Sequence, residues 1–320
     1  MRGSRQGWIW TGWLLAAGVL AAGGGGGCAA VDAASGDSGD SGDSGDPVCN
    51  GAAALCDRRI DEICLAGAHN AMSSKAEGWS FPNQDVAFVD LLDLGVRALL
   101  LDVHVWDDPD DAAGAELWLC HGSCLLGHRR LADGLLALRG WLDAHPSDLV
   151  YVVFEDHASA AAIAAAVEAA GLAARSFAFD GKAWPTLGTL LDDGKQLIWS
   201  AEQGGGEPAW YHHVWSIQQD TPYTFHSQGE LETAGGDDDS CRPYRGDKTA
   251  QLLSVNHWVA KVLPTTQQSD AANTLPVLLK RAQRCAALRG QPVNSLVVDH
   301  ANRGDVVRAA RILNGLEPAR

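Results

Sequence analysis

Leu65-Ala66-Gly67-Ala68-His69-Asn70 closes a short apolar run that begins at Ile60, and it closes it on a histidine and an amide. A buried parallel strand that delivers side chains to a site at its C-terminal end reads this way. Three later stretches repeat the form: residues 98–104 (ALLLDVH), 117–122 (LWLCHG) and 149–157 (LVYVVFEDH). Each is an apolar run that ends in polar, chemically capable residues. Together they predict one catalytic mouth.

Working outward from these runs, the pattern predicts strands at 60–68, 98–105, 116–121, 148–154, 196–201, 252–257 and 295–299, with an eighth at 213–218 (HVWSIQ). Helical periodicity falls at 84–94, 129–144, 158–170, 185–193, 273–289 and 304–314, with Pro185 in the first turn of one helix and Asn273 capping another. Near-continuous apolar strands alternating with helices indicate a parallel sheet. About eight such units in about 260 residues predict a TIM-type (β/α)8 barrel, an α/β fold. Residues 203–250 are irregular, polar and Gly-rich, and read as an insertion over the mouth. A doubly wound open sheet is the alternative, but no Gly-rich dinucleotide fingerprint follows the first strand.

The chain has 320 residues and a net charge of −16. Its acidic balance argues against a nucleic-acid partner. It also means that an anionic phosphate substrate would need a cation or a few placed Arg and Lys. Residues 1–27 read as an export signal: Arg2 and Arg5 precede an apolar stretch, 8–22, too short for a comfortable membrane span. Cys28 follows directly, as in a bacterial lipoprotein signal where that cysteine is lipidated; ordinary cleavage nearby is the other reading. Localisation is therefore expected to be exported, as a cell-envelope lipoprotein or a secreted protein. Residues 28–47 contain the SGD repeat of a flexible tether, and 48–320 form one domain, expected to act as a monomer. In an exported chain the cysteines favour disulfides. Cys49 with Cys56, Cys120 with Cys124, and Cys241 with Cys285 are the plausible pairs, leaving Cys64 as a buried thiol. No paired CxxC spacing supports a zinc site.

In a barrel, residues at strand ends converge on one face. They are His69 and Asn70; Asp102 and His104; His121; Glu155, Asp156 and His157; Asn256 and His257; Asp299 and His300. Two histidines with a carboxylate and amide cluster suit transfer at phosphorus. One imidazole takes a proton from the nucleophile, the other gives one to the leaving oxygen, and hard oxygen ligands hold a divalent cation. The bland readings are a histidine bonding a backbone carbonyl, for His104, His157, His257 and His300 taken singly, and Asp156 capping the helix that follows. His69 and His121 sit among small residues with little packing purpose, so for them the functional reading is favoured. Trp210 and Trp215 read as core or lid packing.

At these residues the sequence resembles the X-domain family of phosphatidylinositol-specific phospholipases C, and is closest to extracellular plant and fungal PLC-like phosphodiesterases. The matching text is CNGAAALCDRR (49–59), LAGAHNAM (65–72), GVRALLLDVHVW (95–106), LWLCHG (117–122), LDAHPSDLVYVVFED (142–156), WPTLGTLL (184–191) and SLVVDHANRGD (295–305). The resemblance implies phosphodiester cleavage with His69 as general base and His121 as the second catalytic histidine. It also implies Asn70, Asp102 and Glu155 as ligands of a divalent metal, Ca²⁺ or Mg²⁺, with His104, Asp156 and Asp299 auxiliary. Metal-free bacterial members carry an Arg at the position of Asp102. One departure stands out: calcium-dependent members have an acidic residue where this chain has Leu100, a gap that His104 or Asp156 could fill. The implied substrate is a phospholipid head group at a membrane surface. The alternatives are a glycerophosphodiester phosphodiesterase, a sphingomyelinase-D-like enzyme, or a non-catalytic lipid- or glycan-binding barrel.

Overall fold

A computed structural model describes residues 47–319, apart from 111–113 and 260–262. The expected export signal, Cys28 and most of the expected tether lie outside the described residues. In chain order the strands are β1 (Leu65–Ala68), β2 (Ala98–Asp107), β3 (Ala115–Leu119), β4 (Arg129–Arg130), β5 (Val150–His157), β6 (Leu197–Ala201), β7 (Tyr211–His213), β8 (Gln218–Asp220), β9 (Leu252–Asn256) and β10 (Ser295–Val298). The helices are α1 (Phe88–Asp93), α2 (Leu131–Ala144), α3 (Ala160–Ala169), α4 (Leu187–Asp192), α5 (Val214–Ile217), α6 (Gln228–Glu232), α7 (Thr266–Ala272), α8 (Leu275–Arg289) and α9 (Val306–Leu313).

Eight strands pair in parallel in the order β7-β6-β5-β2-β1-β10-β9-β8. This is the expected eight-unit α/β barrel, curled but open on one side: the path ends at β7 and β8, which do not pair. Alternation along each strand sorts the core into two layers. Residues such as Leu65, Ala98, Tyr151, Val153, Ile198 and Leu252 fill the barrel interior. Ala66, Leu99, Val152, Leu197 and Leu296 pack outward with the helices. The bore is tight at Gly67, where a Cβ would stand 2.9 Å from Val297 Cγ2 and 3.3 Å from the Leu296 carbonyl. A side chain there would push β1 from β10, the strands that lead into His69 and Asp299.

Several expected elements differ. The first strand begins at Leu65 rather than residue 60, because side chains claim the preceding carbonyls: Asn294 Nδ2 donates to Ile60 and Ile63. The predicted third strand is not a barrel stave. β3 runs antiparallel to β2, with Val103 opposite Leu119, and then pairs β4. Its connection is a short hairpin, whereas a parallel return needs a dozen or more residues. The HVWSIQ stretch is not one strand but the end of β7, the single turn α5, and the start of β8. Residues 203–250 therefore supply two staves as well as irregular chain.

Three helix ends also differ. Thr186, not Pro185, starts α4 by accepting from the Thr189 amide. Ser159, not Asp156, caps α3. Asn273 ends α7 and donates instead to the carbonyls of Asp299 and Arg303. The disulfides are Cys49–Cys56, Cys120–Cys124 and Cys241–Cys285, with Cys64 free and buried, as expected. Among the described residues no helix is long and apolar enough to cross a membrane.

Candidate active site

β1 and β10 pair in register, Ala68 opposite Val298, so their next residues, His69 and Asp299, meet at the same level of the barrel. His69 Nδ1 donates to Asp299 Oδ1 at 2.8 Å. A carboxylate can only accept, so this bond places the ring proton on Nδ1 and leaves the Nε2 lone pair free. Asn83 Nδ2 donates to the same oxygen at 3.0 Å, and Asn70 Nδ2 reaches Asn83 Oδ1 at 3.4 Å. Trp258 lies flat on the His69 ring, with centroids 3.9 Å apart and planes 7° apart. Gln84 donates to the His69 carbonyl at 2.7 Å. The base is thus fixed in tautomer and in orientation.

His121 does not stand on a barrel strand. It follows β3, inside the ring closed by Cys120–Cys124, and its imidazole centroid lies 6.5 Å from that of His69. Desolvation, and then the facing His69, hold the His121 imidazole below its ordinary value.

One pocket of about 110 Å³ opens beside the pair. Its wall includes His69, Asn70, Leu100, Asp102, Glu155 and Glu202, closed by Tyr223, Arg245 and Trp258. Asp102 and Glu155 are register partners on β2 and β5. Phe154 is opposite Ala201 one step earlier, so Glu202 continues the same row. Three carboxylates therefore stand abreast. Asp102 is 3% exposed, and no hydrogen bond among the described residues reaches its carboxylate. Burial, then Glu155 and Glu202, raise it well above the usual carboxylate value. Glu202 rises to about 7, chiefly through burial, although Arg245 opposes the shift.

Among the described residues no three His, Cys, Asp or Glu side chains already stand at metal-ligand spacing. The donor chemistry nevertheless fits a divalent cation. A buried carboxylate without a donor faces the pocket, flanked by a second carboxylate and the Asn70 amide. Leu100 lines the same pocket and contributes only carbon.

The remaining residues divide. Asp156 faces away from the row and accepts from the Gln203 and Gly204 amides at 2.8 and 2.7 Å. His257 is buried against the Ala272 carbonyl, and burial pulls it down to about 3. His300 is buried near Asp85. The bonds of Asp156 and His257 serve the fold. His104 and His157 stack above Asp102 and Glu155, centroids 4.3 Å apart. The sequence reading missed Asn83, Trp258, Glu202 and Arg245. Glu202 had a signal, since it follows the apolar run 197–201 as Glu155 follows its own.

The PI-PLC X family model matches residues 55–314. The chain belongs to the PI-PLC X family. A PI-PLC X domain-containing protein 1 from the fungus Arthroderma benhamiae is 27% identical over 296 residues, covering 84% of this chain and 90% of that protein. A point mutant of the phosphatidylinositol-specific phospholipase C from Staphylococcus aureus superposes with a TM-score of 0.54 at 14% identity, covering 82% of this chain and 94% of the other. The Listeria monocytogenes enzyme of the same name gives 0.51 at 14% identity, covering 82% and 95%. These two likenesses bear on the fold. The resemblance read from the sequence holds, and membership of the PI-PLC X family supports a phosphodiesterase-like function.

Proposed function

We propose that this PI-PLC X protein is an exported phosphodiesterase of the phospholipase C type, acting on a phospholipid head group, phosphatidylinositol or its glycan-linked form, at a membrane surface. The observation that carries the reading is the Asp299-held His69, with a free Nε2, facing His121 across 6.5 Å. His69 Nε2 takes the proton of the substrate's ring 2-hydroxyl as that oxygen bonds to phosphorus. The bond from phosphorus to the glyceryl oxygen breaks, and His121 protonates the departing alkoxide. The products are a cyclic phosphodiester and a diacylglycerol. Opening of the cycle by water reverses the two roles. Asn70, Asp102 and Glu155 would hold the cation, which, when bound, supplies positive charge to the non-bridging phosphoryl oxygens. Trp258 and Asp299 keep His69 from rotating out of reach.

The membrane part of the reading rests on two rim loops. Phe81 is 54% exposed in a left-handed conformation (φ 55°), and Leu125 is 76% exposed. The Ser80 amide joins their loops by donating to the Leu126 carbonyl at 2.7 Å.

Phosphorus NMR of products from a phospholipid panel, with and without chelator, tests the reading. A cyclic phosphate marks attack by the substrate's own hydroxyl; a direct phosphomonoester or free head group points to the glycerophosphodiesterase or sphingomyelinase-D alternatives. His69→Ala and His121→Ala should each cost about 10²-fold to 10⁴-fold in turnover. Wild-type rates in both variants would remove the assignment.

A further inference from the structure

The pairing of β1 with β10 ends at Ala68 and Val298, followed by a last backbone bond from the His69 amide to the Val298 carbonyl at 3.0 Å. Beyond that level, side chains from the loop between β1 and α1 join the two strand ends. Asn83 and Gln84 supply them, at 2% and 0% exposure. Gln84 Nε2 donates to the carbonyls of His69 and Val298, and its Oε1 accepts from the Ala301 amide at 2.8 Å. The Asn83 carbonyl accepts from the His300 amide at 2.7 Å. Asn70 Nδ2 donates to Asn83 Oδ1, which turns Asn83 Nδ2 toward Asp299 Oδ1.

Asp299 is 1% exposed, and among the described residues its carboxylate meets only His69 Nδ1 and Asn83 Nδ2, both on Oδ1. Its Oδ2 is buried and without a partner there. The last torsion of an aspartate is soft, so one bond leaves the carboxylate free to turn. Two donors converging on one oxygen fix where that oxygen stands. We propose that Asn83 is a positioning residue for the His69–Asp299 pair: it fixes the Asp299 oxygen that holds His69 Nδ1, and so the aim of the Nε2 lone pair. The inference rests on the reading of His69 as general base. A bond from an amide to a buried carboxylate is charge-assisted and of the stronger kind. Without it Asp299 turns, the bond to Nδ1 weakens, and the neutral ring also populates the tautomer with its proton on Nε2. Asn83 touches no reacting atom; it acts through Asp299.

The test uses full-length Asn83→Leu, which keeps the volume and removes the donor. On phosphatidylinositol in detergent micelles, kcat should fall about 10-fold to 100-fold while KM changes less than about twofold. In an Asp299→Ala background the same substitution should change kcat less than about twofold, because no carboxylate is left to position. Nitrogen-15 NMR of the imidazoles in alkaline solution reads the tautomer directly. Wild-type His69 should carry its proton on Nδ1 alone, and Asn83→Leu should show a mixture. Thermal unfolding shows which variants fold, and Asn83→Ala serves if Asn83→Leu does not. Wild-type kcat in the variant, an equal loss in the Asp299→Ala background, or a retained single Nδ1–H tautomer overturns the proposal. Absence of phosphodiester cleavage by the wild type removes the enzymatic reading; the tautomer then upholds or overturns the positioning of His69 by itself.

Discussion

Asp299 does two jobs for His69 through one oxygen, and the pair predicts how a small change would act. Asp299→Asn leaves the shape intact, but an amide can donate to Nδ1, moving the ring proton to Nε2 where it blocks the base. Turnover should fall by about 10⁴-fold, as an enforced wrong tautomer does in an analogous carboxylate–histidine pair, with KM little changed. The proton donor predicts a pH dependence. A lowered His121 loses its proton earlier, so the alkaline limb of kcat/KM should fall below pH 6.5, the ordinary imidazole value, and vanish in His121→Ala. A limb above that value would remove His121 as the acid. At this scale much was legible. His69, Asn70, Asp102, Glu155 and Asp299 announced themselves because an apolar run ends on each, or just before it. Asn83 did not, because it comes from a loop with no period. Trp258 did not, because nothing in a lone tryptophan tells a stacking platform from core.

The misreading of β3 has a clear cause at the element scale. Its apolar text matches the barrel strands, but the chain between it and β2 is too short for a crossover, and connection length outranks composition. His121 therefore reaches the site from a hairpin extension and a disulfide-closed turn. The same hairpin leads into Leu125 and Leu126, whose turn packs on the loop of Phe81; Gly127 allows this, since a Cβ there would lie 2.5 Å from the Trp79 ring. If these loops meet lipid, Phe81→Ser with Leu125→Ser should reduce vesicle affinity, read by co-sedimentation, about 100-fold or more, since each side chain withdraws roughly 1.5–3 kcal/mol of apolar burial. Cleavage of a short-chain monomeric substrate should stay near wild type. Equal loss on both substrates would point to damage within the site.

For the whole molecule, the segment between α6 and β9 is fastened twice. Cys241–Cys285 ties it to α8 with a separation of 44 residues. Replacing both cysteines by alanine should lower the unfolding free energy by about 4 kcal/mol, the entropy released when a loop of that length opens. Denaturant unfolding under non-reducing conditions measures it, and a change within 1 kcal/mol would be too small for that account. The barrel as a whole was readable because its staves are apolar runs at even spacing. β7 and β8 escaped because three residues each is too short to show a period.

The second fastening is Arg245. It pairs with Asp220 at the end of β8 and with Glu202 just beyond β6, and stacks on Trp215 and Tyr223. Those carboxylates stand on either side of the one seam where β7 and β8 share no backbone hydrogen bond. Seven seams of the barrel are laced by the peptide backbone; the eighth is buttoned by a guanidinium. Backbone lacing ignores pH and salt, but a button does not. Glu202 is raised to about 7 and loses its charge as the pH falls through that value, so in acid the guanidinium keeps Asp220 and slackens toward β6. Closure of the mouth on that side therefore rests on charge rather than on backbone hydrogen bonds.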